Sequence, residues 1–195
     1  MRIGILGGTF DPPHYGHLKL AEAAIESLEL DELILLPANI NPFKQKARVT
    51  PAKHRIAMAQ LLQKRNAKLA FSDMEITRGG VSYTVDTIGE LQMVHPGEYW
   101  FILGADGIGN FMEWKNPQRI LRLCRLAVSV RPPITKEDLQ LQLPEEFRDK
   151  IDIIEMAPTE ESSSTIRDRI IRGLPVQNMT TPEIVTYIKN NKLYI

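Results

Sequence analysis

Short apolar runs alternate with amphipathic segments along almost the whole chain. The first apolar run is 2–6, and the segment that follows carries Leu20, Ala21, Ala24 and Leu28 at helical spacing. Strands separated by helices in this way pair in parallel, because each crossover returns the chain to the same end of the sheet. The pattern predicts an α/β fold, a doubly wound parallel sheet of Rossmann-like type, with ligands at the carboxyl ends of its strands.

The same patterns predict where the remaining elements lie. Further strands are expected at 32–36, 67–72, 98–103, 126–130 and 151–155. Helices are expected at 16–28, 50–63, 82–94, 117–123, 162–172 and 182–190. Thr50 is expected to cap its helix, with Pro51 in the first position, and 132–150 shows no clear pattern. We expect one domain over 1–195, with a C-terminal helical part at about 160–195.

Composition excludes several classes of protein. Lys and Arg number 24, as do Asp and Glu, so net charge gives no support to nucleic-acid backbone binding. Cys124 is the only cysteine, which rules out an intrachain disulfide and a Cys-based zinc site, and its apolar run makes it a core residue. No apolar run is long enough to cross a bilayer. We therefore expect a protein of the cytoplasm.

The segment Gly7–His17 joins the first predicted strand to the first predicted helix. Glycines there let the backbone approach a ligand, and the first turn of a helix attracts phosphate. His14 and His17 flank Gly16, so two imidazoles could donate hydrogen bonds to one phosphoryl group. Neither Gly-x-Gly-x-x-Gly nor a Walker-A pattern is present. A glycine-rich turn with two incidental histidines stays open, as does, more weakly, a metal site.

Taken whole, the segment resembles the nucleotidyltransferase superfamily that carries a His-x-Gly-His motif, and most closely the bacterial nicotinate-nucleotide adenylyltransferases. Residues 162–167 resemble the second signature of that family, usually Ser-Ser-Thr-x-Ile-Arg. Residues 82–84, 103–106 and 111–114 fall where the family has comparable segments. The resemblance spans nearly the whole chain, and each signature stands between the expected strand and helix.

The resemblance implies transfer of AMP from ATP to nicotinic acid mononucleotide, giving nicotinic acid adenine dinucleotide and pyrophosphate in NAD biosynthesis. His14, His17 and Arg167 are the expected catalytic residues. The residues expected to bind ATP are Gly7, Gly8, Thr9, Phe10, His14, His17, Lys44, Gly104, Asp106, Ser163, Ser164 and Arg167. We expect Mg²⁺ to arrive with ATP and water rather than in a cage of protein ligands.

The resemblance also implies an acceptor site formed by Asn39, Tyr83, Thr84 and Trp114. Trp114 would stack on the pyridine ring, and backbone N–H groups near Thr84 would receive the nicotinate carboxylate. A packing role for Trp114 stays open. So does an alternative for Arg167, whose charge opposes the helix dipole and could pair with one of the acidic residues Glu160, Glu161 and Asp168.

Three positions depart from the family pattern. Ser164 stands where the family usually has Thr, and the hydroxyl is kept. Phe43 replaces a His in the loop that carries the basic cluster of Lys44, Lys46 and Arg48, so Lys44 is the expected phosphate contact there. Lys115 replaces an aromatic residue, and its charge could favour an acid over an amide.

Other functions remain as alternatives. The same chemistry could act on nicotinamide mononucleotide or on phosphopantetheine, although 82–84 and Trp114 disfavour the latter. A non-catalytic ATP-binding sensor is a second class, but a sensor would be free to lose both histidines. Zero net charge and the lack of an RNA-binding module argue against nucleic acid. We expect no membrane partner, and the sequence leaves a homo-oligomer open.

Overall fold

The computed structural model describes residues 1–44, 49–130, 135–141, 143–157 and 159–195. Side chains are described for all of these except Lys44, Ala105 and Asp106. Lys46 and Arg48, the other members of the predicted basic cluster, lie outside the described residues.

One parallel sheet forms the centre of the described fold. Its strands are β1 (Arg2–Gly8), β2 (Glu32–Pro37), β3 (Leu69–Phe71), β4 (Glu98–Gly104), β5 (Arg125–Val130) and β6 (Ile151–Glu155). They lie side by side in the order β3-β2-β1-β4-β5-β6, and all neighbouring pairs are parallel. This is the strand order of a doubly wound Rossmann-like sheet, so the predicted fold class is confirmed. The order reverses between β1 and β4.

Helices follow most of the strands. They are α1 (Tyr15–Ser27), α2 (Ala52–Gln63), α3 (Met74–Arg78), α4 (Thr84–Val94), α5 (Ala105–Ile108), α6 (Pro117–Leu123), α7 (Lys136–Gln140), α8 (Ser163–Ile171) and α9 (Pro182–Asn190). Short 3-10 turns occur at Pro42–Lys44, Phe111–Glu113 and Glu145–Lys150. Within the described ranges, no helix combines the length and the apolar character needed to cross a membrane.

Apolar side chains cover both faces of the sheet, as is usual for parallel strands. On one face Ile3 and Ile5 pack with α4 and α6, and on the other Leu33 and Leu35 pack with α1, α2 and α9. Cys124 belongs to the first of these layers. Burial raises the pKa of its thiol to about 12, which confirms it as an unreactive core residue.

The structure corrects two local predictions at the edge where ligands are expected. Regular structure was predicted to stop at Leu6, but β1 continues because Gly7 and Gly8 pair with the last two residues of β2. Thr50 does not cap α2. Its N–H donates to Oδ2 of Asp11 at 3.1 Å, and Pro51 occupies the N-cap position instead. A contact with a distant residue therefore outweighs the local capping preference.

Three short helices, α3, α5 and α7, were missing from the sequence prediction, and α5 has only four residues. The helices α3 and α7 have five residues each, too few to show a helical period in the sequence. The helix α7 lies in the region that gave no clear pattern, where a capping box of Thr135 and Asp138 starts it. The proposed limits of the domain stay a prediction.

Candidate active site

The turn that follows β1 is held by side chains from distant parts of the chain. We call residues 9–14 the motif turn. The carbonyl oxygen of Thr9 accepts a hydrogen bond of 3.0 Å from Nη1 of Arg55, which lies in α2. The carbonyl oxygen of Asp11 accepts one of 2.7 Å from Nη1 of Arg167, which lies in α8. Two cationic side chains thus anchor the backbone of the turn.

Two hydroxyl groups anchor the other half of the motif turn. Ser163 Oγ donates to the carbonyl oxygen of Pro12 at 2.8 Å, and the fully buried Thr180 Oγ1 donates to that of Pro13 at 2.8 Å. In addition, the N–H of Tyr15 donates to the carbonyl oxygen of Met179 at 3.0 Å. The start of α1 is therefore fixed against both α8 and the segment before α9.

His14 and His17 meet at the start of α1. Their ring centroids are 3.8 Å apart, and the ring of the buried Phe10 lies 4.9 Å from that of His17. The backbone N–H of His14 donates to Nδ1 of His17 at 3.2 Å. A neutral imidazole that accepts at Nδ1 carries its proton on Nε2. Nε2–H of His17 is therefore available to donate to a ligand.

Burial keeps both imidazoles neutral. It lowers the pKa of His14 to about 4, although the charge of Glu161 acts in the opposite direction. The pKa of His17 is lowered well below 6.5, mainly by burial and to a smaller extent by the neighbouring His14. In addition, Nδ1 of His14 is buried and has no hydrogen-bond partner within the described residues. At neutral pH the pair therefore offers neutral N–H donors until an anion arrives to favour protonation.

Gly16 is required by the packing of the histidines. A Cβ atom at this position would lie 2.9 Å from Nδ1 of His14 and 3.2 Å from Oγ1 of Thr159. Its own N–H has no partner in the described part of the chain, whereas the N–H groups of Tyr15 and His17 are already bonded. The first turn of α1 therefore offers fewer free N–H groups than the sequence suggested.

The start of α8 faces the same turn. Ser162 caps this helix by accepting from the N–H of Thr165 at 3.1 Å, which leaves the N–H groups of Ser163 and Ser164 without a described partner. Free N–H groups at a helix start favour anions. Two helix starts, those of α1 and α8, therefore border the motif turn.

Arg167 does not form the acidic ion pair that the sequence left open. It binds the carbonyl oxygen of Asp11, while Glu161 pairs with Lys19 at 3.0 Å and Asp168 with Arg172 at 3.2 Å. The guanidinium group keeps its remaining N–H donors for other acceptors.

A cavity of about 280 Å³ opens beside Gly7 and Gly8. Its walls are mostly apolar or aromatic, and the start of α4 reaches it through Tyr83 and Thr84. The other residues that line it are Leu36, Ala38, Asn41, Pro42, Phe43, Glu75, Ser82, Phe101, Leu103, Glu113, Trp114, Lys115 and Ile120. A mostly apolar pocket with a few polar groups is typical of a small-molecule site.

Trp114 forms an aromatic wall of this cavity. Its ring is partly buried, and it meets Phe101 edge-on with centroids 5.7 Å apart and Phe111 with centroids 5.4 Å apart. The ring centroid of Phe43, a residue with about half of its surface exposed, lies 6.3 Å from that of Trp114. Trp114 therefore packs against its neighbours and also presents surface to the cavity.

Comparisons with known proteins agree with this geometry. The Cytidylyltransferase-like family matches residues 5–169. A protein of Moorella thermoacetica named "Probable nicotinate-nucleotide adenylyltransferase" is 38% identical, over 99% of this chain and 91% of its own. A protein of Roseiflexus with the same name is 38% identical, over 98% and 97% of the two chains. The chain belongs to the nicotinate-nucleotide adenylyltransferase family.

Solved structures support the fold at greater evolutionary distance. The Plasmodium falciparum nicotinic acid mononucleotide adenylyltransferase complexed with APC superimposes with a TM-score of 0.80 at 20% identity, covering 99% of this chain and 96% of the other. The same protein complexed with NaAD gives a TM-score of 0.81, also at 20% identity. At this identity the likeness establishes the fold alone.

The structure places several of the residues that were predicted to bind substrate where their side chains do not face a ligand site. Phe10 is almost completely buried, so any contact with ATP must come from its backbone. Asn39 is outside the cavity wall, and its side chain donates to the carbonyl oxygen of Gly80 at 2.8 Å. Gly104 is exposed at the end of β4. The predictions for Lys44 and Asp106 concern side chains that are not among those the structure describes.

Sequence reasoning missed Arg55. This side chain is only 2% exposed and also donates to the carbonyl oxygen of Ala38 at 2.6 Å, which ties the motif turn to the end of β2. A signal was present, because Arg55 lies three, four and seven residues before the buried Met58, Ala59 and Leu62. That spacing puts a cation on the inner face of α2.

Sequence reasoning also missed Glu75, a buried carboxyl group in the cavity wall. Its Oε1 accepts from the Thr87 hydroxyl at 2.5 Å and lies 3.9 Å from Nη2 of Arg78. Burial raises the pKa of Glu75, which disfavours its charged form. The helix that carries it is too short for sequence periodicity to assign Glu75 to the inner face.

Proposed function

We propose that this chain transfers the adenylyl group of ATP to nicotinic acid mononucleotide, releasing pyrophosphate and nicotinic acid adenine dinucleotide. The observation that carries the proposal is the position of Gly7 and Gly8. They line the aromatic cavity and lead directly into the motif turn. One substrate can therefore lie in the cavity and the other on the turn, with their phosphates meeting beside the two glycines.

The reaction needs no protein nucleophile. A phosphate oxygen of the mononucleotide attacks the α-phosphorus of ATP, the new P–O bond forms, and the bond from that phosphorus to the bridging oxygen breaks. Pyrophosphate carries away the electron pair of the broken bond. Such a displacement depends on placing the two phosphates in line and on stabilising negative charge.

On the ATP side, His14 and His17 donate hydrogen bonds to the phosphate that is transferred. The free N–H groups of Ser163 and Ser164 and the remaining guanidinium donors of Arg167 bind the other phosphates. Gly7, Gly8, Thr9 and Phe10 contribute backbone and Gly104 is assigned to the ribose, while the roles of Asp106 at the ribose and of Lys44 at a phosphate stay predictions. Nδ1 of His14 has no described partner, so this imidazole can accept a proton as an anion binds, whereas His17 donates through its Nε2–H.

On the acceptor side, Trp114 stacks on the pyridine ring inside the cavity. The start of α4, at Tyr83 and Thr84, receives the nicotinate carboxylate, because the N–H groups of Thr84 and Val85 have no partner among the described residues. Asn39 holds the loop before α4 through Ser82 Oγ, to which its N–H donates at 2.9 Å.

Nucleotidyltransferases of this family generally use a divalent metal with ATP. We assign Mg²⁺ to the triphosphate itself, as part of the substrate, where it offsets charge on the phosphates. Among the described residues there is no group of three or more His, Cys, Asp or Glu side chains that could hold a metal ion. A cytoplasmic location and the absence of nucleic-acid and membrane partners stay predictions, and a homo-oligomer stays open.

A comparison of acceptors tests the proposal. Release of pyrophosphate from ATP is measured with nicotinic acid mononucleotide, nicotinamide mononucleotide or phosphopantetheine, at the same concentration of Mg²⁺. We expect the highest kcat/KM with nicotinic acid mononucleotide and no release without an acceptor. A higher kcat/KM with either of the other acceptors would overturn the substrate assignment. Tight ATP binding with no turnover on any acceptor would indicate the sensor instead.

A further inference from the structure

The segment after α9 brings a tyrosine hydroxyl to the motif turn. Tyr194 adopts a left-handed φ of 66°, and its hydroxyl donates to Oδ1 of Asp11 at 2.7 Å. The pKa of this hydroxyl is raised, mainly by burial and to a smaller extent by the hydrogen bond to Asp11. The group therefore keeps its proton throughout the pH range of an enzyme assay and stays a donor.

Asp11 receives hydrogen bonds from three separate parts of the chain. It is only 5% exposed. Besides the Tyr194 bond at Oδ1, its Oδ2 accepts from the N–H of Thr50 and its carbonyl oxygen accepts from Arg167. A buried carboxylate that lost one of these donors would move or rearrange to recover it. The position of Asp11 therefore depends on the segment after α9 as well as on the residue before the N-cap of α2 and on α8.

A displacement of Asp11 would also displace His14, because only Pro12 and Pro13 separate the two residues in the chain. We propose that Tyr194 is a positioning residue for adenylyl transfer: through Asp11 it holds the motif turn in the shape that aims His14 and His17 at the transferred phosphate. The proposal rests on the proposed function, since the reaction is where the geometry of the histidines has its effect.

The test compares two single-atom deletions in the same part of the chain. Tyr194→Phe removes the hydroxyl that bonds Asp11. Tyr187→Phe is the matched control, since its hydroxyl lies in α9 and bonds Nδ1 of His54 at 3.0 Å. We expect Tyr194→Phe to lower kcat by about three- to tenfold while KM for the acceptor is unchanged, and Tyr187→Phe to leave both constants within about twofold.

A second measurement reads the motif turn without turnover. The N–H of His14 is bonded to Nδ1 of His17, so NMR can follow its hydrogen exchange and the ring nitrogen signals of His17. We expect faster exchange and shifted signals in Tyr194→Phe but not in Tyr187→Phe.

The outcomes separate this inference from the proposed function. Equal kcat values and equal exchange rates in the two variants, whatever happens to their melting temperatures, would overturn the positioning role. If the unsubstituted protein turned over no acceptor, the proposed function would fail, and the exchange measurement alone would decide whether Tyr194 shapes the turn.

Discussion

The motif turn and the cavity beside Gly7 and Gly8 lie side by side but are built differently. In the turn, side-chain donors hold the backbone in place. The carbonyl oxygens that accept from them are those of Thr9, Asp11, Pro12 and Pro13. In the cavity, apolar and aromatic side chains, Trp114 among them, make most of the wall. The turn can therefore tolerate little displacement, whereas the cavity can lose a contact and still bind.

The largest expected effect comes from removing a histidine of the turn. His17→Ala or His14→Ala should lower kcat by about 10²–10³-fold, because each removes one donor to the transferred phosphate. Steady-state kinetics of pyrophosphate release measures it. His95→Ala, at the far end of α4, is the control and should retain wild-type turnover. Unchanged turnover in either motif variant would show that the turn does not perform the chemistry.

Gly16→Ala tests whether the turn tolerates displacement. The new methyl group would push the imidazole of His14, and misplacement of a catalytic group by about 1 Å can cost about 10²-fold in rate. Gly89→Ala in α4 is the control, because a Cβ there meets nothing within 4 Å and should stabilise the helix by about 0.5–1 kcal/mol. Kinetics and thermal unfolding of both variants make the comparison. A fully active Gly16→Ala enzyme would contradict a rigid turn.

Trp114→Ala tests the cavity in the same way. Loss of the stacking wall should raise KM for nicotinic acid mononucleotide by about tenfold and leave KM for ATP unchanged. Trp114→Phe keeps an aromatic face and should recover part of the loss. Equal increases in both KM values would mean that Trp114 supports the whole site rather than the acceptor.

The pKa of His14 gives the turn a pH-dependent stability. Because its pKa is about 4 in the folded protein and about 6.5 in the unfolded chain, the unfolded state binds more protons between these values. The free energy of unfolding should therefore decrease as the pH falls from about 6.5 to 4, by up to about 1.4 kcal/mol per unit. Denaturant unfolding at several pH values gives the free energy of unfolding as a function of pH. This free energy should decrease less steeply with falling pH in His14→Gln than in the wild type. Equal slopes would contradict a buried neutral His14.

The smallest effect is expected at Lys115. Its Nζ lies 2.9 Å from Oδ2 of Asp86 and 4.3 Å from the ring centroid of Tyr83, and both charged side chains are 43% exposed. Exposed ion pairs contribute little, so Lys115→Met should change the acid-to-amide ratio of kcat/KM by less than about threefold. A larger change would make this departure from the family pattern a determinant of specificity.

The sheet and its ligand-binding edge could be predicted from the sequence because apolar periodicity records which residues face the core. The bounds of α6, β5 and β6 follow that record closely. The anchors of the motif turn could not be predicted in this way. Arg167 and Asp11 are 156 positions apart, and nothing in the local pattern around either residue points to the other. The resemblance to a family identified Arg167 and Ser163 as important, but not the carbonyl groups they hold.

The anchored carbonyl groups have a consequence for how this chain selects a polyanion. A carbonyl oxygen that accepts a hydrogen bond from an internal donor points its negative partial charge away from the ligand. It therefore repels an incoming phosphate less. A chain with as many acidic as basic residues can then bind a triphosphate without an excess of lysine and arginine around it. Its affinity for ATP should fall less steeply with ionic strength than that of a protein that relies on a basic surface.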